Sequence, residues 1–575
     1  MAGFSVNTFG GQVPKLSARL LKENLAQSSR NCELLNGDLV PTRALGSTTD
    51  TLSAAPGTLK SYTDPTTHLF DGYLSADHET EFIVRPLPND TYSRIYYVDA
   101  SGQLRVSTHS SLTTTGNIKT ITPGADHAAA VTPPGTAPTT SASGGSSSIN
   151  IEVAYVITYV DLYGAEGPPS SASVPLTCKT DDTVTVTNAA TYTNDEGITL
   201  WRIYRAVSGS AATRYQFVGE AAIGTTTFSD TSLPDWGGAD AWGDNGRKTT
   251  PQEVVVSDTW YPAPTDLDGC ISAGQGVLIA WRDNTLYFSE TFLPHAWPPN
   301  YQIVIESDIV GLASIGGAVV VLTNSIPYLV GGNLPSAPSV QRLDTEEACL
   351  SRKGITTLGN TCLYASPNGI VAIGMGEMTN ITDAYLDRQQ WEKMNPSTCR
   401  LGVYNDDILM FYQNATATAV DFDLPTNGVM QIRTGAAEGF IMFHDDDVAQ
   451  YVVRPHDERL FIITGSGNTW YLKEWNPTLE NGGVLRDYIW KSKQFRVPRD
   501  ICMSAFQVNA EAYPINLRLW LDGALVHFQT IASDEPFRLP PGRAKQYEIE
   551  LSGQHTVRSW IIGQSIQDIQ SDATA

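Results

Sequence analysis

The chain has 575 residues, of which 41% are apolar, and it carries 61 acidic against 37 basic residues, a formal net charge of −24. Its length predicts about three to five domains, and no stretch reaches the ~18 consecutive apolar residues that a membrane-spanning helix needs. The charge argues against binding of nucleic acid by a basic surface, because that affinity comes from Lys and Arg side chains that neutralise phosphates.

The cysteines and the opening sequence both favour folding in a cytoplasm. The seven cysteines include no CxxC pair, so neither a zinc site nor a disulfide framework is predicted. Buried free thiols are typical of a chain that folds in a reducing compartment. The opening sequence MAGFSVNTFGGQ has no basic region followed by an apolar one, and no secretory signal peptide is expected.

The N-terminal segment, residues 1–45, is predicted to form one short helix and an extended arm. Pro14 suits the first turn of a helix, and Gly37 and Pro41 break the chain after it. Four leucines share one face at helical spacing: Leu16, Leu20, Leu21 and Leu25. A helix this short is stabilised by docking, so these leucines are the predicted interface with a neighbouring subunit; packing within the same chain is the alternative.

Residues 46–127 are predicted to be the first β segment of a larger domain. Strand-like runs occur at 81–84, 94–98 and 103–106, and the last two are separated by a DASG turn typical of hairpins. Residues 128–148 then carry no charge and are rich in Ser, Thr, Gly, Ala and Pro. This composition predicts a flexible linker.

Residues 149–235 contain six or seven short strand-like runs, which is the spacing of a small β-sandwich. Its tyrosines, a Glu-Gly-Pro-Pro-Ser turn and a WRIYR strand give the segment its character: Tyr155, Tyr159, Glu166–Ser170, Trp201–Arg205, Phe228 and Asp230. In these residues the segment resembles a fibronectin type III domain. The aromatic residues are interpreted as core and strand-pair residues, and a ligand platform is the alternative.

Residues 236–488 contain a β pattern that recurs along the chain. Five apolar strand centres are separated by 42, 43, 46 and 53 residues: Leu278, Val320, Leu363, Leu409 and Ile462. A β unit at this period is typical of propeller blades, and with the strands at 81–106 we expect about six blades. The sandwich at 149–235 would then be an insertion after the first blade.

Residues 489–575 again alternate apolar and polar residues and predict a second β-sandwich. The fold class predicted for the whole chain is therefore all-β. It consists of a β-propeller-like core, a fibronectin type III-like insert, a C-terminal β-sandwich and a short N-terminal helix.

No catalytic or cofactor motif is found in the sequence. GxGxxG, P-loop, HExxH and GxSxG are absent, so no catalytic or cofactor-binding residue is predicted. Oxygen ligands for a hard cation occur in His444–Asp447, followed by His456, and in Asp266–Gly269. Acidic runs between strands are more often solvated turns, and no metal site is predicted. With 61 acidic residues, a glycosidase-like carboxylate pair is unavoidable and decides nothing.

Three stretches, taken together with the order of the predicted domains, carry a wider resemblance. They are Phe9–Gly11 with Pro14, Ala26 and Asn31–Pro41; the WRIYR sandwich up to Phe228–Asp230; and Lys491–Lys493 with Ala510–Tyr513, Pro536–Pro540 and Ile549–Gly553. On these stretches the chain resembles the tail nozzle or hub proteins of short-tailed bacteriophages, of the tail tubular protein B and tail-stabilisation type. None of the stretches is a catalytic signature, and the match is one of architecture.

The resemblance implies a structural virion protein of the phage tail, not an enzyme, without a cofactor and assembled in the host cytoplasm. Such proteins form a homo-oligomeric ring, expected to be a hexamer, below the portal and adaptor proteins, with tail fibres or a tail needle as further partners. The ring closes the channel on packaged genomic DNA and conducts the DNA during ejection without binding it specifically. A net charge of −24 per copy would repel the DNA backbone, as a conduit requires.

Two other functions stay open on the sequence alone. The first is a virion surface or receptor-binding protein with affinity for glycans, which would be a monomer or trimer. The second is a propeller-type hydrolase, which would need a carboxylate pair whose loss abolishes turnover without changing assembly.

Overall fold

The computed structural model of the protein is almost entirely β structure, as the sequence predicts. Within the part of the chain that it describes, the α-helices are only Arg388–Lys393 (α1) and Ile566–Asp572 (α2). No helix in that part is long and apolar enough to cross a membrane. The described residues are 3–34, 36–122, 124–190, 192, 194–207, 214–233, 254–343, 345–374, 377–413, 415, 424–433, 439–478 and 483–572.

The N-terminal residues form strands that belong to four different sheets. In chain order these strands are β1 (Gly3–Val6), β2 (Ala26–Arg30), β3 (Cys32–Glu33), β4 (Val40–Pro41) and β5 (Thr48–Leu52). Strands β3 and β4 pair with each other. The other three complete sheets whose remaining strands come from much later in the chain.

The next strands form two four-stranded sheets, blades 1 and 2, which are interleaved along the chain. They are β6 (Thr58–Thr63), β7 (Phe70–Ala76), β8 (Ile83–Val84), β9 (Arg94–Val98), β10 (Leu104–Thr108), β11 (Leu112–Thr115), β12 (Ile118–Ile121) and β13 (His127–Ala128). Blade 1 has the order β11-β12-β7-β6 and blade 2 the order β13-β10-β9-β8. The chain leaves blade 1 after β7 and returns to it with the hairpin β11-β12, whose second strand pairs parallel with β7.

The insert is a sandwich of a three-stranded sheet, β14-β17-β20, and a four-stranded sheet, β16-β15-β18-β19. Its strands are β14 (Thr139–Ser143), β15 (Asn150–Asp161), β16 (Leu176–Lys179), β17 (Thr183–Thr187), β18 (Ile198–Val207), β19 (Gln216–Ala222) and β20 (Thr227–Asp230). The flexible linker predicted for 128–148 is wrong over 139–143, because β14 pairs with β17 along its whole length. Its Thr and Ser residues suit an exposed strand as well as a linker.

Five further sheets, blades 3 to 7, follow the insert. Their strands are β21 (Gly269–Gly274), β22 (Val277–Arg282), β23 (Thr285–Phe288), β24 (Gln302–Val304), β25 (Ile309–Ile315), β26 (Ala318–Thr323), β27 (Tyr328–Asn333), β28 (Ala337–Arg342), β29 (Ile355–Leu358), β30 (Thr361–Ser366), β31 (Gly369–Ile373), β32 (Met378–Asn380), β33 (Arg400–Tyr404), β34 (Asp407–Tyr412), β35 (Gly428–Arg433), β36 (Phe440–His444), β37 (Gln450–Arg454), β38 (Arg459–Ser466) and β39 (Thr469–Glu474). The five predicted strand centres all lie in the second strand of a blade: β22, β26, β30, β34 and β38.

Blade 7 is closed by a strand from the other end of the chain. Strands β37, β38 and β39 supply only three strands, and β5 pairs antiparallel with β39, placing Leu52 opposite Trp470. The pairing covers an edge that would otherwise present unpaired backbone groups.

Apolar clusters between successive blades close the sheets into a ring. The cluster between blades 7 and 1 joins Leu59 and Tyr73 to Phe461 and Ile463. Six more clusters of this kind join the other neighbouring blades of the described chain. The predicted β-propeller core is therefore confirmed. It has seven blades in the described residues, one more than expected, because residues 46–127 build two blades.

The C-terminal sandwich uses strands from both ends of the chain. Its own strands are β40 (Tyr488–Ser492), β41 (Phe495–Cys502), β42 (Ala505–Ala510), β43 (Ile515–Leu521), β44 (Ala524–Ile531), β45 (Phe537–Arg538), β46 (Arg543–Gly553) and β47 (Val557–Gly563). One sheet has the order β1-β47-β42-β45. The other runs β2-β40-β46-β43-β44, and β2 also pairs with β36, so this sheet continues into blade 6.

The N-terminal helix predicted after Pro14 is not formed. The backbone N–H groups of Leu16, Leu20 and Leu25 each donate a hydrogen bond to the carbonyl oxygen three residues back, which is the pattern of separate turns. Gln12 exchanges two backbone hydrogen bonds with Ile441, and β2 begins at Ala26. The segment is thereby held at both ends against sheets, and these contacts override a helical pattern too short to be stable alone.

Candidate functional site

The four leucines of the predicted interface separate into two pairs in the structure. Leu21 and Leu25 are buried in the core of the C-terminal sandwich. Leu16 and Leu20 are 42% and 60% exposed. Of the four predicted interface residues, therefore, only Leu16 and Leu20 are accessible to another molecule.

A second apolar surface lies on β44, at the edge of the sheet that the C-terminal sandwich shares with blade 6. Leu525, Val526 and Phe528 are 49%, 49% and 56% exposed. Strand β44 pairs with β43 on one side and ends the sheet on the other. An edge strand with exposed apolar residues is able to receive a strand or apolar face from a partner. The run ALVHFQTI, with three apolar residues in its first four, is the sequence feature that could have marked it.

The insert is held against blades 2 and 3 by specific polar contacts. The His295 ring, in blade 3, hydrogen-bonds through Nε2 to the backbone carbonyl of Glu166 at 3.1 Å. The Arg105 guanidinium, in blade 2, donates to Asp195 at 2.7 Å. Burial lowers the pKa of His295 to about 4, so this ring is neutral at pH 7.

The aromatic residues predicted for the insert lie in its core. Tyr155, Tyr159 and Trp201 are all buried. The Tyr155 hydroxyl donates to Asp230 at 2.8 Å, and Arg205 pairs with the same carboxylate at 2.5 Å. Because these rings are enclosed, they do not offer the ligand platform that was the alternative.

The stretch His444–Asp447, weighed as a metal site, sends its side chains to separate protein partners. His444 is buried and its Nε2 hydrogen-bonds to Gln431 at 2.9 Å. Asp446 is buried and accepts two hydrogen bonds from Arg486. The carboxylates do not converge, and burial lowers the pKa of His444 to about 4. In the other stretch, Asp268 accepts the backbone N–H of Asp283.

One group in the described residues has the composition of a cation site, although sequence analysis did not find it. Asp64, Asp71 and His109 offer ligand atoms that all lie within 4.8 Å of one another. Asp71 is paired with Lys119 at 2.9 Å, and Asp64 accepts two backbone N–H groups. Because Lys119 and the two backbone N–H groups already bind the carboxylates that a cation would need, we assign no cation site to this group.

The cysteines are free thiols, as the sequence predicts. Six of the seven are buried, and Cys502 is partly buried. Burial raises the pKa of Cys349 and Cys399 to about 12, which leaves these sulfurs protonated and unreactive.

The centre of the propeller contains two cavities of about 560 Å³ and 670 Å³. Their walls are the inner strands of the blades and the loops that lead into them. Seven residues line both cavities, which therefore form one channel: Lys60, Glu81, Arg352, Ile355, Thr356, Thr357 and Tyr451. We call this space the propeller channel.

Comparisons with known proteins give no family for the chain. No family model matches it, and no curated protein matches it. Among solved structures it is similar to the N-terminal domain of Nup159, at 10% identity over 49% of this chain and 88% of the other, with a TM-score of 0.22.

Two other solved structures show similarity at the same level. Chaetomium thermophilum Raptor matches at 9% identity over 76% of this chain and 29% of Raptor, with a TM-score of 0.28. PorZ, a surface component of the type-IX secretion system of Porphyromonas gingivalis, matches at 10% identity over 92% and 84%, with a TM-score of 0.24. Scores this low carry no argument about function, and the fold rests on the strand pairing described above.

Proposed function

We propose that the chain is a structural subunit of a tail nozzle of a short-tailed bacteriophage, where copies form a ring below the portal and adaptor. The observation that carries the proposal is an apolar sheet edge, at Leu525, Val526 and Phe528, on a sheet that runs without interruption into the propeller. A subunit of a ring needs a surface of this kind, because each copy must bury part of its surface against the next.

The strand pairings and polar contacts that join the domains support a mechanical role for the protein. Strands β1, β2 and β5 bind the N-terminal residues into the C-terminal sandwich and blade 7. The insert is fixed to the propeller by Arg105 and His295. A body whose parts share sheets and polar contacts resists relative movement of its domains, as the wall of a conduit must.

The charge of the chain also supports the proposal. Six copies at −24 would carry −144. Acidic surface that faces the lumen of such a ring would repel the phosphates of DNA and would keep the DNA from adhering during passage.

The proposal is tested by the assembly state of the purified protein, alone and mixed with a portal–adaptor complex. Native mass spectrometry and negative-stain imaging should show a hexameric ring, either directly or only on the adaptor. A stable monomer or trimer that ignores the adaptor would contradict the proposal, and a glycan array would then test the receptor-binding alternative.

Matched variants connect the ring to the surfaces described here. Leu525→Asp with Phe528→Asp should abolish ring formation, because charged residues would replace the apolar contact. Leu16→Asp with Leu20→Asp should weaken attachment to the ring or the adaptor. The control is Leu69→Asp, since Leu69 is 68% exposed on blade 1 and belongs to neither surface.

A further inference from the structure

The lining of the propeller channel contains more basic than acidic residues, which is the opposite of the chain as a whole. Its lining contains two acidic residues, Glu79 and Glu81. It contains five cationic ones: Lys60, Arg85, Arg352, Lys353 and Arg400. The chain as a whole has many more acidic than basic residues, so cations are concentrated in this space.

Three of these cations, Lys353, Arg400 and Arg352, have fewer carboxylate partners than positive charges. The Glu79 carboxylate lies 2.9 Å from Lys353 Nζ and 3.6 Å from Arg400 Nη2, and so serves both. Arg352 has no carboxylate within salt-bridge distance among the described residues. Its Nη1 donates to the backbone carbonyl of Asp268 at 2.8 Å.

Arg352 also has an unused donor. Its Nη2 is buried and has no hydrogen-bond partner among the described residues. The guanidinium lies 5.0 Å from the ring centre of Trp281, whose Nε1 is likewise buried without a partner. Both residues line the larger cavity. Buried donors without an acceptor are costly, and two of them together indicate a place for an acceptor group.

The cations are poorly compensated electrostatically as well. Burial lowers the pKa of Arg352, despite the charges of Glu81 and Asp268, and burial also lowers the pKa of Arg400. The pKa of Lys353 is lowered by burial and by the charge of Arg400. A bound anion would offset this repulsion and would satisfy the unused donors.

We propose that the propeller channel binds a small multivalent oxyanion, bearing phosphate or carboxylate groups, at Arg352, Lys353 and Arg400. The two cavities have volumes in the range of small-molecule sites, which is about 300–1,000 Å³. The hydroxyls of Thr356 and Thr357, which line both cavities, add neutral donors. A long polyanion is disfavoured, because the net negative charge of the chain would repel it.

The experiment is a titration of the full-length protein by calorimetry, with thermal unfolding in parallel, at constant ionic strength. The probes are tripolyphosphate and citrate, and sodium chloride at matched ionic strength is the reference. At least one probe should bind with a stoichiometry near one and raise the melting temperature. Binding of tripolyphosphate alone assigns the site to phosphates, binding of citrate alone assigns it to carboxylates, and binding of both supports the shared chemistry.

Variants locate the site. Arg352→Gln should weaken binding by about tenfold or more, as loss of a charged hydrogen bond does. Lys353→Gln serves the same purpose if the first variant does not fold, since Lys353 is 42% exposed. Lys545→Gln, at a 62% exposed lysine of the C-terminal sandwich, should bind like the parent protein.

Three results would overturn the inference: neither probe binds, sodium chloride reproduces the effect, or the channel variants bind as tightly as Lys545→Gln. The test is independent of ring formation, because it uses the subunit alone. Failure of this inference would therefore leave the proposed nozzle function untouched, and the reverse also holds.

Discussion

The two sandwiches of this molecule have similar sizes and different relations to the rest of the chain. The insert builds its core almost wholly from its own segment, with Tyr155, Tyr159 and Trp201 at the centre. The C-terminal sandwich takes Val6, Phe9 and other N-terminal residues into its core and shares a sheet with blade 6. The difference shows that the insert is a module attached to the propeller, whereas the C-terminal sandwich joins the N-terminal residues to blade 6.

The largest effect is expected for Trp490→Ala in the C-terminal sandwich. Trp490 is fully buried, packs edge-on against Phe9 at 4.9 Å and donates from Nε1 to the carbonyl of Gly10 at 3.0 Å. The substitution should lower the free energy of unfolding by about 3–5 kcal/mol. Urea denaturation should show the propeller and the sandwich unfolding together, because they share a sheet. Separate transitions, with the propeller unchanged, would contradict the comparison.

The same substitution in the insert, Trp201→Ala, should have a local effect. Trp201 is also fully buried, and its Nε1 donates to the carbonyl of Thr225 at 3.0 Å. The insert should lose about 3–5 kcal/mol of stability, while the blades remain folded. Hydrogen exchange should show lost protection in β14 to β20 only. Equal loss of protection in blades 4 to 7 would show that the insert is not a separate module.

Acidification should loosen the contact between the insert and blade 3. The pKa of His295 is lowered to about 4 by burial, from an ordinary value near 6.5. Below pH 6.5 the unfolded chain binds a proton that the folded chain does not, so stability falls as the pH falls towards 4 and is unaffected above 6.5. The expected loss is up to about 3 kcal/mol.

The pH prediction is measured by urea denaturation between pH 7 and pH 4.5. His295→Gln should flatten the dependence and His444→Gln, at the other buried histidine of low pKa, should remove a separate part of it. A His295→Gln profile that is parallel to that of the parent protein would refute the assignment.

The smallest effect is expected for Asp195→Asn, which removes the ion pair with Arg105. Asp195 is 51% exposed, and Arg105 keeps its second partner, Asp126. A pair of this kind contributes less than about 1 kcal/mol. Limited proteolysis should detect slightly faster cleavage around the insert, with Glu152→Gln on its exposed face as the control. A large loss of global stability would mean that the insert is more than an attached module.

The propeller was predictable from the sequence because the second strand of each of blades 3 to 7 is buried on both faces. In β30, Leu363 packs between blades 5 and 6 while its neighbour Tyr364 packs between blades 4 and 5. Alternate residues therefore serve different clusters, and the strand reads as a continuous apolar run that recurs once per blade. The insert was visible for a similar reason, because the residues of β15 that form its core, such as Tyr155 and Tyr159, recur at every second strand position.

The rest depended on pairings between distant residues. Nothing local in Thr48–Leu52 indicates that it completes blade 7, and the leucines after Pro14 have helical spacing without forming a helix. The propeller channel escaped prediction for the same reason. Arg352 and Arg400 stand in unremarkable sequence, and only the ring brings them to one space.

The pairing of β5 with β39, a strand from much later in the chain, has a consequence for synthesis of the protein. Strand β5 leaves the ribosome long before β39, and β1 long before β47, so these early strands have no partners until nearly the whole chain exists. A chain cut short by premature termination would keep an open blade and an unpaired edge, and such edges invite aggregation and recognition by chaperones. The subunit can therefore close only after translation is complete. An incomplete chain would expose unpaired strands that distinguish it from the finished protein.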